Sequence, residues 1–266
     1  MKNTLLSFLF LGFILNAQQQ EIPKGILAPN QHHTGKAWLN FMGQANDLFN
    51  HNVVLATFEA GAKLNWHSHK QGQQLIVLSG HGHYQEKGKP IQPMRPGVVI
   101  NCSPNTLHWH SSTKNTAVSY LAIYSPSPTQ WDAPLTQSEY DVSLLRTLFD
   151  DFAVLADKKQ VKAQMKLFTP NAVVESYREG KRNSVYNGHD EIEKAFADFL
   201  SQFDSVEHKN GEHRVEVNGS NAKGYGSCKV TLANKETRLE WTVNYIDTYI
   251  FEDNKWLIQK RESHFD

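Results

Sequence analysis

Apolar residues fall into two regimes along this chain. Over residues 33–124 they come in short runs broken by Gly, Pro and Asn, such as Val53-Val54-Leu55-Ala56, Leu75-Ile76-Val77-Leu78, Val98-Val99-Ile100 and the stretch 118–123. Runs of this length without a helical period predict an all-β barrel or sandwich. Ser125-Pro126-Ser127-Pro128 interrupts the pattern, and 126–142, with Pro134, reads as a linker. From Ser143 the period becomes helical, with Leu144, Leu145, Leu148, Phe149, Phe152, Leu155 and Ala156 on one face. A short helix is expected over 161–168, before Pro170. A third is expected over 190–203, with Ile192, Ala195, Phe196, Phe199 and Phe203 on one side. Strand patterns follow at 214–217, 222–232, 237–251 and 256–263, with turn signals at Asn218-Gly219 and Asp253-Asn254. Helices followed by a run of strands predict an α+β domain with an antiparallel sheet. The expected organisation is thus a β-barrel domain over 30–125, a linker over 126–142 and an α+β domain over 143–266.

The first 17 residues have the pattern of an export signal. Lys2 gives a short positive region, residues 5–15 an apolar core, and Asn16-Ala17 before Gln18-Gln19-Gln20 a small-residue cleavage point. The expectation is an exported protein, periplasmic or extracellular, with no membrane association once the signal is removed. No cysteine follows the cut, which argues against a lipid anchor. Cys102 and Cys228 fall in different expected domains and read as two separate thiols or one interdomain disulfide. Lys+Arg 27 against Asp+Glu 27 leaves no charge excess to attract nucleic acid or an anionic membrane.

Histidine changes the picture. Of the 13 in the chain, His67, His69, His81, His83, His108 and His110 lie in one stretch. His67 and His69 at i, i+2 share one face of a strand, Gln73 follows four residues on, and His108 returns from a later strand. Neutral imidazole is a ligand for divalent transition metals, so the first domain is a candidate metal site. His110 shares a strand face with His108, which makes it a proton carrier or a barrel-lining residue. His81 and His83 are expected near a turn at the barrel rim. Trp66 and Trp109 are expected to pack on the opposite face.

The spacing Gly61, five residues, His67-x-His69, three residues, Gln73, six residues, Gly80 resembles the first motif of the cupin family, and 97–108 resembles its second. Asn105 stands where that family usually has Gly; Asn tolerates the left-handed backbone such a turn needs. The resemblance implies a double-stranded β-helix barrel with His67, His69, Gln73 and His108 as metal ligands. Thr34-Gly35, Phe58-Glu59-Ala60-Gly61 and Leu107-His108-Trp109-His110 resemble the subgroup of manganese-dependent hydroxynitrile lyases and carboxymuconolactone-decarboxylase-associated cupins. That subgroup often has a His where this chain has Tyr120, so the resemblance implies His110 or Tyr120 as the catalytic proton carrier. It implies one divalent metal, manganese first, with iron, nickel and zinc open.

In the second half, Leu167-Phe168-Thr169-Pro170-Asn171-Ala172-Val173, Asn187-Gly188-His189-Asp190-Glu191-Ile192, Tyr245-Ile246-Asp247-Thr248-Tyr249 and Trp256-Leu257-Ile258 resemble the nuclear-transport-factor-two-like group that includes SnoaL-like proteins. The resemblance implies a cone of helices and curved antiparallel sheet around a ligand pocket, with Tyr177, His208, Tyr245, Asp247 and Arg261 as candidate pocket residues. It also implies a homodimer. Asp247 paired to Arg261 is the structural alternative for those two.

The expected function is a metal-dependent cupin enzyme of lyase or isomerase type acting on a small organic molecule, with an accessory SnoaL-like domain for ligand binding or dimerisation. The alternatives are a non-catalytic small-molecule binding protein, a metal-dependent oxygenase, or catalysis in the C-terminal pocket.

Overall fold

A computed structural model describes residues 22–266; the expected export signal lies outside the described residues. The first half is a β-barrel of two facing sheets. One sheet runs in the order Ile26–Leu27, Ala37–Gly43, Asn52–Phe58, Val118–Tyr124, Gln73–Gly80, Val99–Cys102. The other is built on His108–Ser112, which pairs with Gly82–Glu86 on one side and with His67–Ser68 and Lys63–Leu64 on the other. Leu75, Val77, Ile100, Val118, Tyr120 and Ala122 fill part of the interior. Asn105 has φ +58°, as the second-motif turn requires, and its N–H donates to the His69 carbonyl at 2.8 Å. Gly72 (φ +83°) lets the chain pass the second motif: a Cβ there would stand 2.6 Å from the Cys102 carbonyl oxygen.

The second half packs three helices, α1 (Gln137–Asp157), α2 (Val161–Met165) and α3 (Gly188–Leu200), with a six-stranded sheet. The sheet order is Lys181–Asn187, Phe168–Arg178, Lys255–Phe265, Arg238–Glu252, Asn221–Ala233, Ser205–Asn218. Leu145, Leu148, Phe149 and Phe152 of α1, Val161 and Met165 of α2, and Ile192 and Leu200 of α3 enter the core. The sheet is antiparallel except where Phe168–Arg178 runs parallel to Lys255–Phe265.

Several element boundaries differ from the sequence reading. Helix α1 starts at Gln137, inside the stretch expected to be linker. Thr136 Oγ1 accepts from the Glu139 N–H (3.1 Å) and Glu139 Oε2 accepts from the Thr136 N–H (2.9 Å), a reciprocal cap that satisfies two otherwise orphaned donors. Helix α2 stops at Met165, because Phe168 is buried as the first residue of a strand. Helix α3 starts two residues before the expected 190–203 span and ends at Leu200. The Lys181–Asn187 strand was not legible because it is polar and largely exposed. Cys102 and Cys228 are both free and buried.

The two halves meet at a small apolar junction of Ile91, Trp109, Leu135 and Tyr140, flanked by Trp66 and Leu144. The tryptophans pack in a core as expected, but one shared with the second domain. His83 also departs from its expected place at the rim. Its Nδ1 lies 2.7 Å from the Tyr140 hydroxyl of α1, and burial lowers its pKa to about 4. His213 stacks on Phe149 at 4.4 Å in the second domain, and burial lowers its pKa to about 4 as well.

Thr136→Ala removes the cap of α1 and is expected to cost about 1 kcal/mol, read as a lower denaturant midpoint together with faster amide exchange in the first turn of α1. A pH dependence follows from His83 and His213. Unfolded, each binds a proton below about pH 6.5; folded, each resists until about pH 4. The unfolded state therefore holds more protons across that window, and stability falls as the pH drops from about 6.5 to about 4. Thermal midpoints at pH 7.5, 6 and 4.5 should decline stepwise, and His213→Gln should flatten part of the slope; a midpoint independent of pH would contradict the burial of these rings.

Candidate metal centre

The barrel brings the predicted residues of its two motifs to one interior region. His67 and His108 are directly opposed in the antiparallel pairing of their strands, with ring centroids 4.2 Å apart. His110 lies two residues beyond His108 on the same face, 5.9 Å from it and 5.1 Å from His67. His69 leaves the end of the His67–Ser68 strand and stands 5.2 Å from His67 and 5.7 Å from His108. Gln73 opens the next strand and sets Oε1 3.2 Å from His108 Nε2. All five side chains are buried. The most compact group is His67, His108 and His110, whose potential ligand nitrogens lie within 4.8 Å of one another. His69 stands just outside that group, and His110, read from sequence as a proton carrier, stands inside it.

Outer contacts orient the rings. His67 Nδ1–H donates to the Asn65 carbonyl (2.9 Å) and His108 Nδ1–H to the Thr106 carbonyl (2.8 Å). Each bond fixes the tautomer that turns an Nε2 lone pair inward, as metal-binding histidines require. Cys102 Sγ lies 3.1 Å from His108 Nδ1 on the outer side. Burial holds the pKa of His67 and His110 well below the usual imidazole value, and that of His69 at about 4, with the neighbouring rings adding to the effect. Burial lowers His108 too, against the opposing pull of Thr106 and Glu86. The rings are therefore neutral near pH 7, the state that ligates metal.

The donor set fits a divalent transition metal on its own chemistry. Both nitrogens of His69 and Nε2 of His110 are buried without a hydrogen-bond partner, a state that costs about 1–3 kcal/mol per group. With Nδ1–H of His108 given to Thr106, Gln73 Oε1 and His108 Nε2 are two acceptors facing each other at 3.2 Å, an arrangement that a shared cation satisfies. Zn–N bonds are about 2.0–2.1 Å, so the spread of up to 4.8 Å among the three nitrogens calls for a modest contraction of the side chains around an ion.

Tyr120 touches this group through His110. Its hydroxyl lies 2.7 Å from His110 Nδ1, and burial raises its pKa well above the phenol value, so it stays protonated. Sequence reasoning missed Trp131. The Gln130–Trp131 segment, in the stretch expected to be linker, pairs with His67–Ser68 in register Trp131↔His67. The Trp131 ring lies 5.0 Å from His67 and stacks on His32 at 4.1 Å. No local pattern marks two residues as a strand; only the exposed cost of a large aromatic there could have signalled it.

The second-domain candidates divide. His208, Tyr245 and Arg261 line an apolar cavity of about 130 Å³ with Phe152, Phe196 and Trp241. Asp247 does not line it; it lies behind Arg261 as the buried partner of a bidentate pair, Nε–Oδ1 2.8 Å and Nη2–Oδ2 2.6 Å. Tyr249 donates a further hydrogen bond to Asp247 Oδ2 at 2.8 Å. Tyr177 is away from the cavity: its hydroxyl donates to Glu175 and its ring stacks on His264, because strand alternation turns it away from the core. His208 Nδ1 pairs with Asp157 at 2.7 Å.

Comparison with known proteins finds a match in each half of the chain. A cupin domain is matched over residues 54–124 and a SnoaL-like domain over 141–262. The (R)-mandelonitrile lyase of Granulicella tundricola is 34% identical over 115 residues, 42% of this chain and 88% of that protein. A cupin-like protein of Thermotoga maritima is 33% identical over 46% of this chain and 95% of its own, with a TM-score of 0.44. An NTF2-like protein with a cystatin-like fold from Novosphingobium aromaticivorans is 20% identical over 47% of this chain and 82% of its own, with a TM-score of 0.42. The chain belongs to the cupin family through its first half and carries a SnoaL-like domain in its second.

Proposed function

We propose that this protein is an exported, metal-dependent cupin enzyme of lyase or isomerase type, acting on a small organic molecule inside the barrel. The observation that carries the reading is the set of buried, neutral imidazoles gathered in the barrel, with both nitrogens of His69 and Nε2 of His110 left without a hydrogen-bond partner. His67, His69, Gln73 and His108 are the proposed ligands of one divalent metal, manganese first. When bound, the metal supplies electrostatic stabilisation to an oxygen or leaving anion of the substrate. The similarity to a mandelonitrile lyase favours cyanohydrin-type cleavage.

His110 is the proposed proton carrier. With its Nδ1–H donated to the Tyr120 oxygen (2.7 Å), the Nε2 lone pair faces the centre and accepts a substrate proton. Tyr120 holds that tautomer and does not itself ionise. Its distance from the metal ligands makes it a positioning residue. Trp131 is the proposed aromatic wall beside His67. The homodimer remains part of the proposal, through either domain.

Binding in the second domain is a further reading, supported by one observation. Arg261 Nη1 and Gln164 Oε1 are buried without partners, and both residues line the apolar cavity. A small ligand with one acceptor group and an apolar body suits it. Substituting Arg261→Lys should abolish saturable binding of such a ligand without altering the metal content of the barrel.

Metal analysis of purified protein should give close to one divalent ion per chain. His67→Ala and His108→Ala should each lose it, and the relative losses in His69→Ala and Gln73→Ala rank the remaining donors. Wild-type metal content in the first two variants would refute the site. With (R)-mandelonitrile as probe, His110→Ala should cut turnover by about 10²–10⁴-fold, the usual range for a lost acid–base group, while keeping its metal. Trp131→Ala should raise KM more than it lowers kcat. A metal-loaded protein inert toward cyanohydrins yet binding them saturably would instead support the non-catalytic alternative.

A further inference from the structure

A cleft of about 900 Å³ lies between the two domains, apart from both the barrel interior and the second-domain cavity. Its walls come from the barrel, from α1 and from the far end of the second sheet. Lys63, Arg95, Lys114, Lys166 and Lys255 line it, against only two carboxylates, Asp141 and Asp151. None of these five cations is ion-paired among the described residues, although most pairs elsewhere in the second domain match a Lys or Arg to a nearby Asp or Glu. Asp141 makes no ion pair with them: its oxygens accept from Trp256 Nε1 (3.1 Å) and Gln137 Nε2 (3.0 Å), and its charge acts on Lys63 only through space, against the burial that lowers that lysine's pKa. Burial and the adjacent Asp150 push the pKa of Asp151 up, and it forms no ion pair with the five cations.

Two of the cations are held in place by neutral groups. Lys63 Nζ donates to Gln137 Oε1 at 3.0 Å across the domain junction. Lys114, from the barrel, sits 4.3 Å over the ring of Phe251 in the second domain. The lining also includes an apolar group, Ile91, Leu144, Leu148 and Trp256. A cleft with low-dielectric walls and one sign of charge concentrates its field on ligands of the other sign.

We propose that this interdomain cleft binds an organic polyanion, a molecule with an apolar body and two or more carboxylate or phosphate groups. The anionic groups meet lysines from both domains, and the body lies on the apolar wall. Occupancy ties the two halves together, so binding raises the stability of the whole chain through mass action. The inference does not rest on the barrel chemistry, and metal content read in parallel keeps the two apart.

The test is calorimetric titration of the full chain with two probes, benzene-1,3,5-tricarboxylate for the carboxylate source and pyrophosphate for the phosphate source. Sodium chloride at matched ionic strength is the reference. Saturable binding of at least one probe is expected, weakening steeply with added salt, with a concentration-dependent rise in thermal midpoint. The preferred probe assigns the source. The double variant Lys114→Glu/Lys255→Glu, both at exposed positions, should weaken binding at least about tenfold with metal content unchanged. Reversing Lys181 and Lys235, exposed lysines that do not line the cleft, should leave affinity alone. No saturable binding of either probe, or equal losses in the two double variants, would overturn the proposal.

Discussion

The structure is governed by a debt inside the barrel: imidazoles sit in an apolar interior without enough hydrogen-bond partners. A buried polar atom left unpaired is expensive, and here His69 and His110 leave three such nitrogens. The surrounding packing of Leu75, Val77, Ile100 and Val118 carries that cost. Orientation is not left loose, because the carbonyls of Asn65 and Thr106 each hold one ring by its outer nitrogen. An interior that spends stability on unpartnered lone pairs aimed at one region makes sense if something electron-poor completes it.

The same economy runs differently in the second domain. Its one buried ion pair, Arg261 with Asp247, is bidentate, and Tyr249 adds a hydrogen bond to the carboxylate. Phe152 and Tyr245 lie within 4.0 and 4.6 Å of the guanidinium carbon, so the cation also meets aromatic faces. Breaking such a pair by removing one member strands a buried charge, which makes it a strut of the cone as well as a feature of its cavity wall. Charge in this chain is therefore used in two ways: neutral donors gathered in the barrel, compensated ions locked in the cone.

Much of this was legible in the sequence, for identifiable reasons. The histidine spacing fixed which side chains meet, because register in a barrel turns residues two apart to the same side, and His67 faces His108 as a result. Asn105 could be read as a left-handed turn residue because few side chains tolerate that backbone. What was not legible depends on contacts distant in sequence. His110 entered the compact nitrogen group because the barrel closes tightly around it, and spacing alone gives no interior radius. The start of α1 was hidden by its polar first turn, where the signal was Thr136 with Glu139 three residues on and not an apolar stripe. His83 and Trp109 looked like barrel residues only; their partner Tyr140 comes from a stretch that the pattern read as linker and that the structure folds into α1.

The two-residue strand Gln130–Trp131 lies beyond the last long strand of the barrel and before the first helix of the cone, yet it is hydrogen-bonded alongside His67–Ser68. The border between the halves therefore runs differently through space than along the chain. A barrel severed after Tyr124 would retain its imidazoles but lose an indole flank from their mouth.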